Sequence, residues 1–282
     1  MPGPKATLVV FLVVDLVVSV VTAQDPVKVA PKHYKVAAAE APTHSVTPDG
    51  RYRFYAEEDG GGHAHLFLRD LTTGETRRLT KGPGGAGDYN KMSPDGKQIA
   101  YVWGEAGIVD VRIVGIDGAE PRVLHSNRDM VLLNRQLVHE WSPDGKYVAA
   151  TVFQDRTSQL VLFSVADGSV RVLKTLNTNF QWNKMSFSPD GRFVAYDLSP
   201  QGGWHPRDIL AIPVEGGPEI PLVQHPANDL LLGWTPDGRE VLFSSNRSGR
   251  WDLWVVQVFD GKPRGSPQMV YPNVGPITDL GF

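Results

Sequence analysis

No cysteine occurs in the 282 residues, so the chain has neither a disulfide framework nor a cysteine for lipoprotein acylation. Helix signals are nearly absent too. Apolar residues come in short runs bounded by turn formers, not at the three- and four-residue intervals of an amphipathic helix. An excess of one charge is also missing: 28 Lys and Arg stand against 31 Asp and Glu, for a net charge of −3, with the cations dispersed among acids. That distribution argues against a nucleic-acid surface. Gly-x-Ser-x-Gly does not occur, and no Ser, His and Asp set has the spacing of a nucleophile elbow. A hydrolase domain is therefore not expected within these residues, nor catalysis of their own.

Turn formers are abundant, with 29 Gly and 22 Pro. Pro-Asp-Gly recurs five times, as Pro48-Asp49-Gly50, Pro94-Asp95-Gly96, Pro143-Asp144-Gly145, Pro189-Asp190-Gly191 and Pro236-Asp237-Gly238. Successive aspartates lie 46, 49, 46 and 47 residues apart, and Ser or Thr precedes every copy (Thr47, Ser93, Ser142, Ser188, Thr235). Self-similarity at this period marks a blade or solenoid array. Pro presets φ for a turn, Asp caps the backbone with its carboxylate, and Gly takes the left-handed conformation that closes a hairpin. The five aspartates are turn formers, since five equivalent acid catalysts are implausible.

Each turn leads into a short apolar run, such as Gln98–Trp103, Tyr147–Ala150, Phe193–Tyr196 or Val241–Phe243. A polar loop follows, then a third strand: Leu66–Leu68, Val111–Val114, Leu160–Phe163, Ile209–Ile212 and Leu253–Val256. A second hairpin carries Gly at its tip (Gly74, Gly118, Gly168, Gly217, Gly261) and opens a fourth strand, such as Val170–Leu173. Four short strands per unit of this length predict an all-β propeller of four-stranded blades.

Runs such as Trp141-Ser142-Pro143-Asp144-Gly145-Lys146-Tyr147-Val148-Ala149 and Phe243–Trp254 resemble the WD-like propeller repeats of the TolB type. Such repeats are found in bacterial periplasmic proteins and beside the catalytic domains of prolyl-oligopeptidase-like and tricorn-like peptidases. The resemblance spans roughly residues 43–282 and implies the fold. It does not choose between a binding protein and an accessory domain of an enzyme.

The residue before each Ser/Thr-Pro-Asp-Gly is apolar (Val46, Met92, Trp141, Phe187, Trp234), and a further step of 48 residues lands on Phe282. The expectation is five complete blades plus the first strand of a sixth, hence a ring of six or more blades cut short. The other reading is a five-bladed ring closed by N-terminal material such as His33–Val36. At the other end, Lys5 precedes the apolar run Ala6–Val21, and Val21-Thr22-Ala23 ends it with small residues. Residues 1–23 read as a secretory signal peptide, Asp15 within the run arguing against a stable span. Residues 24–42 read as a linker, and 43–282 as the propeller. The mature protein is expected in the periplasm or outside the cell, without stable membrane insertion.

His63-Ala64-His65, after three glycines, is a weak metal candidate, because alternate strand residues share a side. Its repeat position weakens it: other blades carry Asp110, Gln159, Asp208 and Asp252 where His65 stands. No cofactor or metal is expected. His139-Glu140, inside the first strand of the third blade, reads as a structural pair. Topology places the Pro-Asp-Gly turns and the Gly-tipped hairpins on one face. The loops between second and third strands, and those joining blades, lie on the other. That loop face gathers Arg128, Arg156, Trp204, His205, Arg207, Arg247, Arg250 and Trp251, residue types that anchor protein interfaces. A protein or peptide partner is the expected ligand; the alternative is the substrate-gating propeller of a larger serine peptidase.

Overall fold

A computed structural model of the protein describes residues 15–18, 32–35, 45–87, 89–127, 136–154, 157–176, 184–200 and 206–275. Strand β1 (Asp15–Val18) pairs antiparallel with β2 (Lys32–Lys35) in a sheet of its own. The segment expected to close a five-bladed ring is thus paired with β1 and not with a blade. The rest of 1–42 and the expected last strand near Phe282 lie outside the described residues. No described helix is long and apolar enough to cross a membrane.

Five antiparallel sheets follow. Blade 1 is β3 (Ser45–Val46), β4 (Tyr52–Glu58), β5 (Ala64–Asp70) and β6 (Thr76–Arg78). In blade 2 the innermost strand is split into β7 (Gly85–Ala86) and β8 (Lys91–Met92), both paired with β9 (Gln98–Glu105), and followed by β10 (Ile108–Gly115) and β11 (Arg122–Asn127). Blade 3 is β12 (Gln136–Trp141), β13 (Tyr147–Gln154), β14 (Thr157–Ser164) and β15 (Val170–Leu176). Blade 4 is β16 (Met185–Phe187), β17 (Phe193–Leu198), β18 (Asp208–Pro213) and β19 (Ile220–Val223). Blade 5 is β20 (Asp229–Trp234), β21 (Glu240–Ser245), β22 (Asp252–Phe259) and β23 (Lys262–Tyr271). The strands run in simple up-and-down order from the inside out.

The middle strands read as continuous apolar runs because both of their faces are covered. Val148 and Ala150 pack with Ala100, Val102 and Val111 of blade 2, while Ala149 between them packs with Met185, Phe187 and Val194 of blade 4. Equivalent clusters join blades 1 and 2 (Phe54, Leu66, Leu68, Ile99, Tyr101, Trp103) and blades 4 and 5 (Ala195, Ile209, Leu231, Val241, Phe243, Val256). Each fully buried Leu or Phe in them contributes about 1.5–3 kcal/mol.

All five turns share one hydrogen-bond plan. The Ser/Thr hydroxyl donates to the aspartate Oδ1 at 2.5–2.7 Å and accepts the N–H five residues on at 2.9–3.0 Å. The same Oδ1 accepts the N–H of the residue after Gly at 3.0–3.1 Å. The carboxylates are consumed by the turn, which is why Ser or Thr always precedes Pro.

Blades are tied to their neighbours by two recurring contacts. The indole N–H of Trp141 donates to the Lys91 carbonyl of blade 2 at 2.8 Å, and that of Trp234 to the Ser186 carbonyl of blade 4 at 3.2 Å. Phe187 has no ring donor, and there its backbone N–H donates to Glu140 of blade 3 at 2.7 Å. On the turn face, a fourth-strand arginine reaches a carbonyl of the next blade's second hairpin: Arg77 to Asp117 at 3.4 Å, Arg122 to Val165, and Arg171 to Val214 at 2.8 Å.

Candidate interaction face

The loop face of blades 4 and 5 rests on a buried ionic base. Asp197, the fifth residue of β17, accepts the Arg207 guanidinium at 3.2 Å, the Lys184 N–H at 3.1 Å and the Leu231 N–H at 3.2 Å. Asp229, the first residue of β20, accepts Arg247 at 2.8 Å. Arg247 also lies over the rings of Phe243 and Trp254, 5.2 and 4.9 Å from their centres. Main-chain and amide bonds lock the two pairs together: Asn228 Oδ1 accepts the Arg207 N–H, the Arg207 carbonyl accepts the Asp229 N–H, and Asn246 accepts the Asn228 N–H. Asp197, Asp229, Arg207 and Asn228 are all buried. Burial pushes the Asp229 carboxyl above its usual range despite Arg247. Removing one partner of such a pair would strand an uncompensated charge, so the base is stiff.

Above it stands the β21–β22 loop. Asp252 is fully buried and accepts from Ser248 Oγ and, at 2.7 Å, from the Asn273 N–H. Its third contact is the Arg250 Nε at 3.4 Å, and the Arg250 side chain is 61% exposed. Trp251 beside it is half-buried, its carbonyl accepting the Val274 N–H. Arg250 therefore faces solvent from a fixed loop, with half-buried Trp251 beside it.

The expected loop-face set thus divides. Arg207 and Arg247 bind their own protein, Arg250 is presented outward, and Trp251 is half-buried beside it. Arg128, Arg156, Trp204 and His205 lie outside the described residues. Asp229 falls among the loop-face positions, whereas Asp197 went unread, although an acid closing the apolar run Phe193–Tyr196 was a signal available.

His65 is a core residue. It is fully buried, with Nε2 3.1 Å from Asp59 Oδ2, Nδ1 3.4 Å from Thr80 Oγ1 and its ring 5.6 Å from that of Trp103. Desolvation lowers its pKa. Both ring nitrogens are committed to the protein, and His63 beside it is exposed. His65 braces the loop between second and third strands, as Asp252 does in blade 5. Among the described residues no group of three or more His, Cys, Asp or Glu could hold a metal ion. Glu140 is spent on the Phe187 N–H, and His139 Nε2 lies 2.7 Å from Thr151 Oγ1.

Two clefts of about 340 and 540 Å³ lie on the opposite, turn face. The Arg192–Asp260 ion pair, 2.7 Å long, lies in the first, and Arg51, Asp70 and Arg77 line the second.

The sequence profile described as "PD40: TolB beta propeller domain" matches residues 105–267. An uncharacterized protein of Agrobacterium fabrum is 28% identical over 217 residues, covering 71% of this chain and 68% of that protein. Dipeptidyl-peptidase 5 of Porphyromonas gingivalis is 27% identical over 137 residues, 45% of this chain and 20% of the peptidase, so the likeness spans a fifth of that enzyme. Among solved structures, a putative TolB from Agrobacterium tumefaciens matches with a TM-score of 0.60 at 19% identity, over 86% of this chain and 84% of that one.

Proposed function

The chain belongs to the TolB beta-propeller domain family, and on that footing we propose that it is an exported, non-catalytic scaffold holding a protein or peptide partner on its loop face. The observation that carries this reading is the Arg250–Trp251 pair, an exposed cation beside an indole on a loop anchored by buried Asp252. An indole supplies buried area and a guanidinium pairs with carboxylates, so an extended acidic segment is the complementary partner. By sequence, Trp204 and His205 belong to the corresponding segment between second and third strands of blade 4 and lie outside the described residues. Affinity purification from the host's exported fraction tests it. Arg250→Ala with Trp251→Ala should lose the co-purifying partner and largely keep the melting temperature, because Arg250 is 61% exposed and Trp251 half-buried. A falling melting temperature with partner retained would refute the reading. Export is checked by mass spectrometry, which should find a mature N-terminus at Gln24.

A second reading rests on the match to dipeptidyl-peptidase 5: the chain as the substrate-gating propeller of a larger serine peptidase. Reading the gene beyond the Phe282 codon decides between them. A following α/β segment with Gly-x-Ser-x-Gly supports the peptidase.

A further inference from the structure

Asp-Gly occurs nine times in the chain: in the five Pro-Asp-Gly turns and at Asp59-Gly60, Asp117-Gly118, Asp167-Gly168 and Asp260-Gly261. With no side chain on the second residue, the glycine nitrogen can reach the aspartate Cγ and close a five-membered imide, so every such step is chemically open to slow conversion into an isoaspartyl link. The fold decides which of them react. Attack needs a glycine N–H that is not already donating and a carboxyl that is free to turn.

Eight of the nine are tied down. In the five turns the glycine N–H donates to the Ser or Thr carbonyl at 2.8–2.9 Å, while the carboxylate Oδ1 accepts both the hydroxyl and the N–H beyond the glycine. Asp167 is held in the same way: Gly168 donates to the Ser164 carbonyl at 2.8 Å, and Oδ1 accepts the N–H and the hydroxyl of Ser169. Gly118 donates to the Gly115 carbonyl at 3.1 Å, and Asp117 Oδ1 accepts the Ala119 N–H at 3.0 Å. The Asp59 carboxylate is fixed at both oxygens, Oδ1 by the N–H groups of Gly61 and His63 and Oδ2 by His65 Nε2, 3.1 Å away.

Asp260-Gly261 escapes both restraints. It is the two-residue tip between β22 and β23, where Phe259 pairs with Lys262, and both of its residues are left-handed, φ +50° and +71°. Among the described residues the Gly261 N–H has no acceptor. The carboxyl is met only by Arg192 of blade 4, 2.7 Å from Oδ1, and both side chains of that pair are more than half exposed, which makes it a weak restraint.

We propose that Asp260-Gly261 is a modification site, the one Asp-Gly step that the folded protein leaves free to isomerise, and that the change loosens the β22–β23 hairpin from blade 4. The Gly261 nitrogen attacks Asp260 Cγ and forms a C–N bond, the amide proton and the carboxyl hydroxyl leave as water, and a succinimide ring closes. Solvent water then reopens it. Addition at Cγ restores aspartate. Addition at the main-chain carbonyl of Asp260 leaves the chain running through Cβ and Cγ, one methylene longer, with the carboxylate on Cα. The tip has no room to lengthen toward blade 4, since a Cβ on Gly261 would already stand 2.4–2.8 Å from the Phe193 ring, and the displaced carboxylate leaves Arg192.

Ageing the chain in heavy-oxygen water near neutral pH tests this, because every passage through the ring brings one solvent oxygen into the residue. Peptide mass spectrometry reads each site, and trypsin places Asp260-Gly261 apart from the other eight in the peptide Trp251–Arg264. Folded protein should carry at least about tenfold more label at Asp260 than at any other Asp-Gly, because an amide bonded within a turn must first open. In urea, with those bonds gone, the nine sites should label to similar extents. Equal labelling in the folded protein, or a lead by another Asp-Gly, would overturn the proposal. So would a lead of Asp260 that persists in urea, which would assign the reactivity to local sequence. Asp260→Glu, whose longer side chain closes the ring poorly, supplies the control for the second half: aged wild type should melt below fresh protein, and aged Asp260→Glu should melt like its own fresh sample. No fall in wild type, or a matching fall in Asp260→Glu, would overturn the loosening.

Discussion

Gly145 and Gly261 share a left-handed backbone, φ +71° in each, but differ in their surroundings. A Cβ at Gly145 would meet nothing within 4 Å; one at Gly261 would sit 2.4–2.8 Å from the Phe193 ring of blade 4. Gly145→Ala should thus cost only the conformational penalty, about 1–2 kcal/mol. Gly261→Ala should cost about 1–3 kcal/mol more, because Phe193 is itself packed. Urea titrations of both variants check the order, and equal losses would contradict the close approach of blades 4 and 5. His139 gives a pH test. Burial, with Lys91 and Lys184 nearby, pushes its pKa from 6.5 down to about 3. The unfolded chain binds this proton below about pH 6.5, while the folded protein takes it up only near pH 3. Between those values the unfolded state holds more protons, so stability falls as pH drops through the window and is unaffected above it. His139→Gln should therefore gain stability relative to wild type at pH 4.5 compared with pH 7.5. Identical shifts at both pH values would show that His139 protonates freely in the folded protein.

The strands that follow each turn were legible because Pro-Asp-Gly fixes their starts and apolar runs fix their lengths; Gln98–Trp103 falls within β9 and Leu160–Phe163 within β14. Blade 2's split inner strand was not, since Gly85 and Ala86 pair with Gly104 and Trp103 and carry no strand propensity. Nor could spacing tell which loop arginines face solvent. Arg207 and Arg247 are claimed by acids 10 and 18 residues away in sequence, brought to them by the sheet. The residue before each turn was visible as an apolar position, and the indole N–H role of Trp141 and Trp234 only in three dimensions. That role is testable in blade 3. Trp141→Phe keeps the ring but removes the donor to the Lys91 carbonyl, which should cost about 1 kcal/mol and lower the melting temperature by about 2–4 °C. Phe187 at the same point of blade 4 shows that a phenyl ring fits. An unchanged melt would mean that the tie adds nothing to the packing.

Among the described residues the blades pack chiefly against their neighbours in sequence, so stability is close to a sum of blade terms and nearest-neighbour interface terms. Blade 3 has an apolar interface on each flank, and Val148, Ala149, Ala150, Leu160, Val161 and Leu162 are all fully buried. Among the described residues blades 1 and 5 are each joined to one neighbour, and β23 exposes Met269 and Tyr271. Local opening should therefore begin at the two terminal blades and reach blade 3 last. Amide hydrogen exchange on dilute protein should show β13 and β14 protected at least about tenfold more than β4 and β23, a gap of about 1.4 kcal/mol. Uniform protection across all five blades would mean that they open as one unit and that the ring is closed.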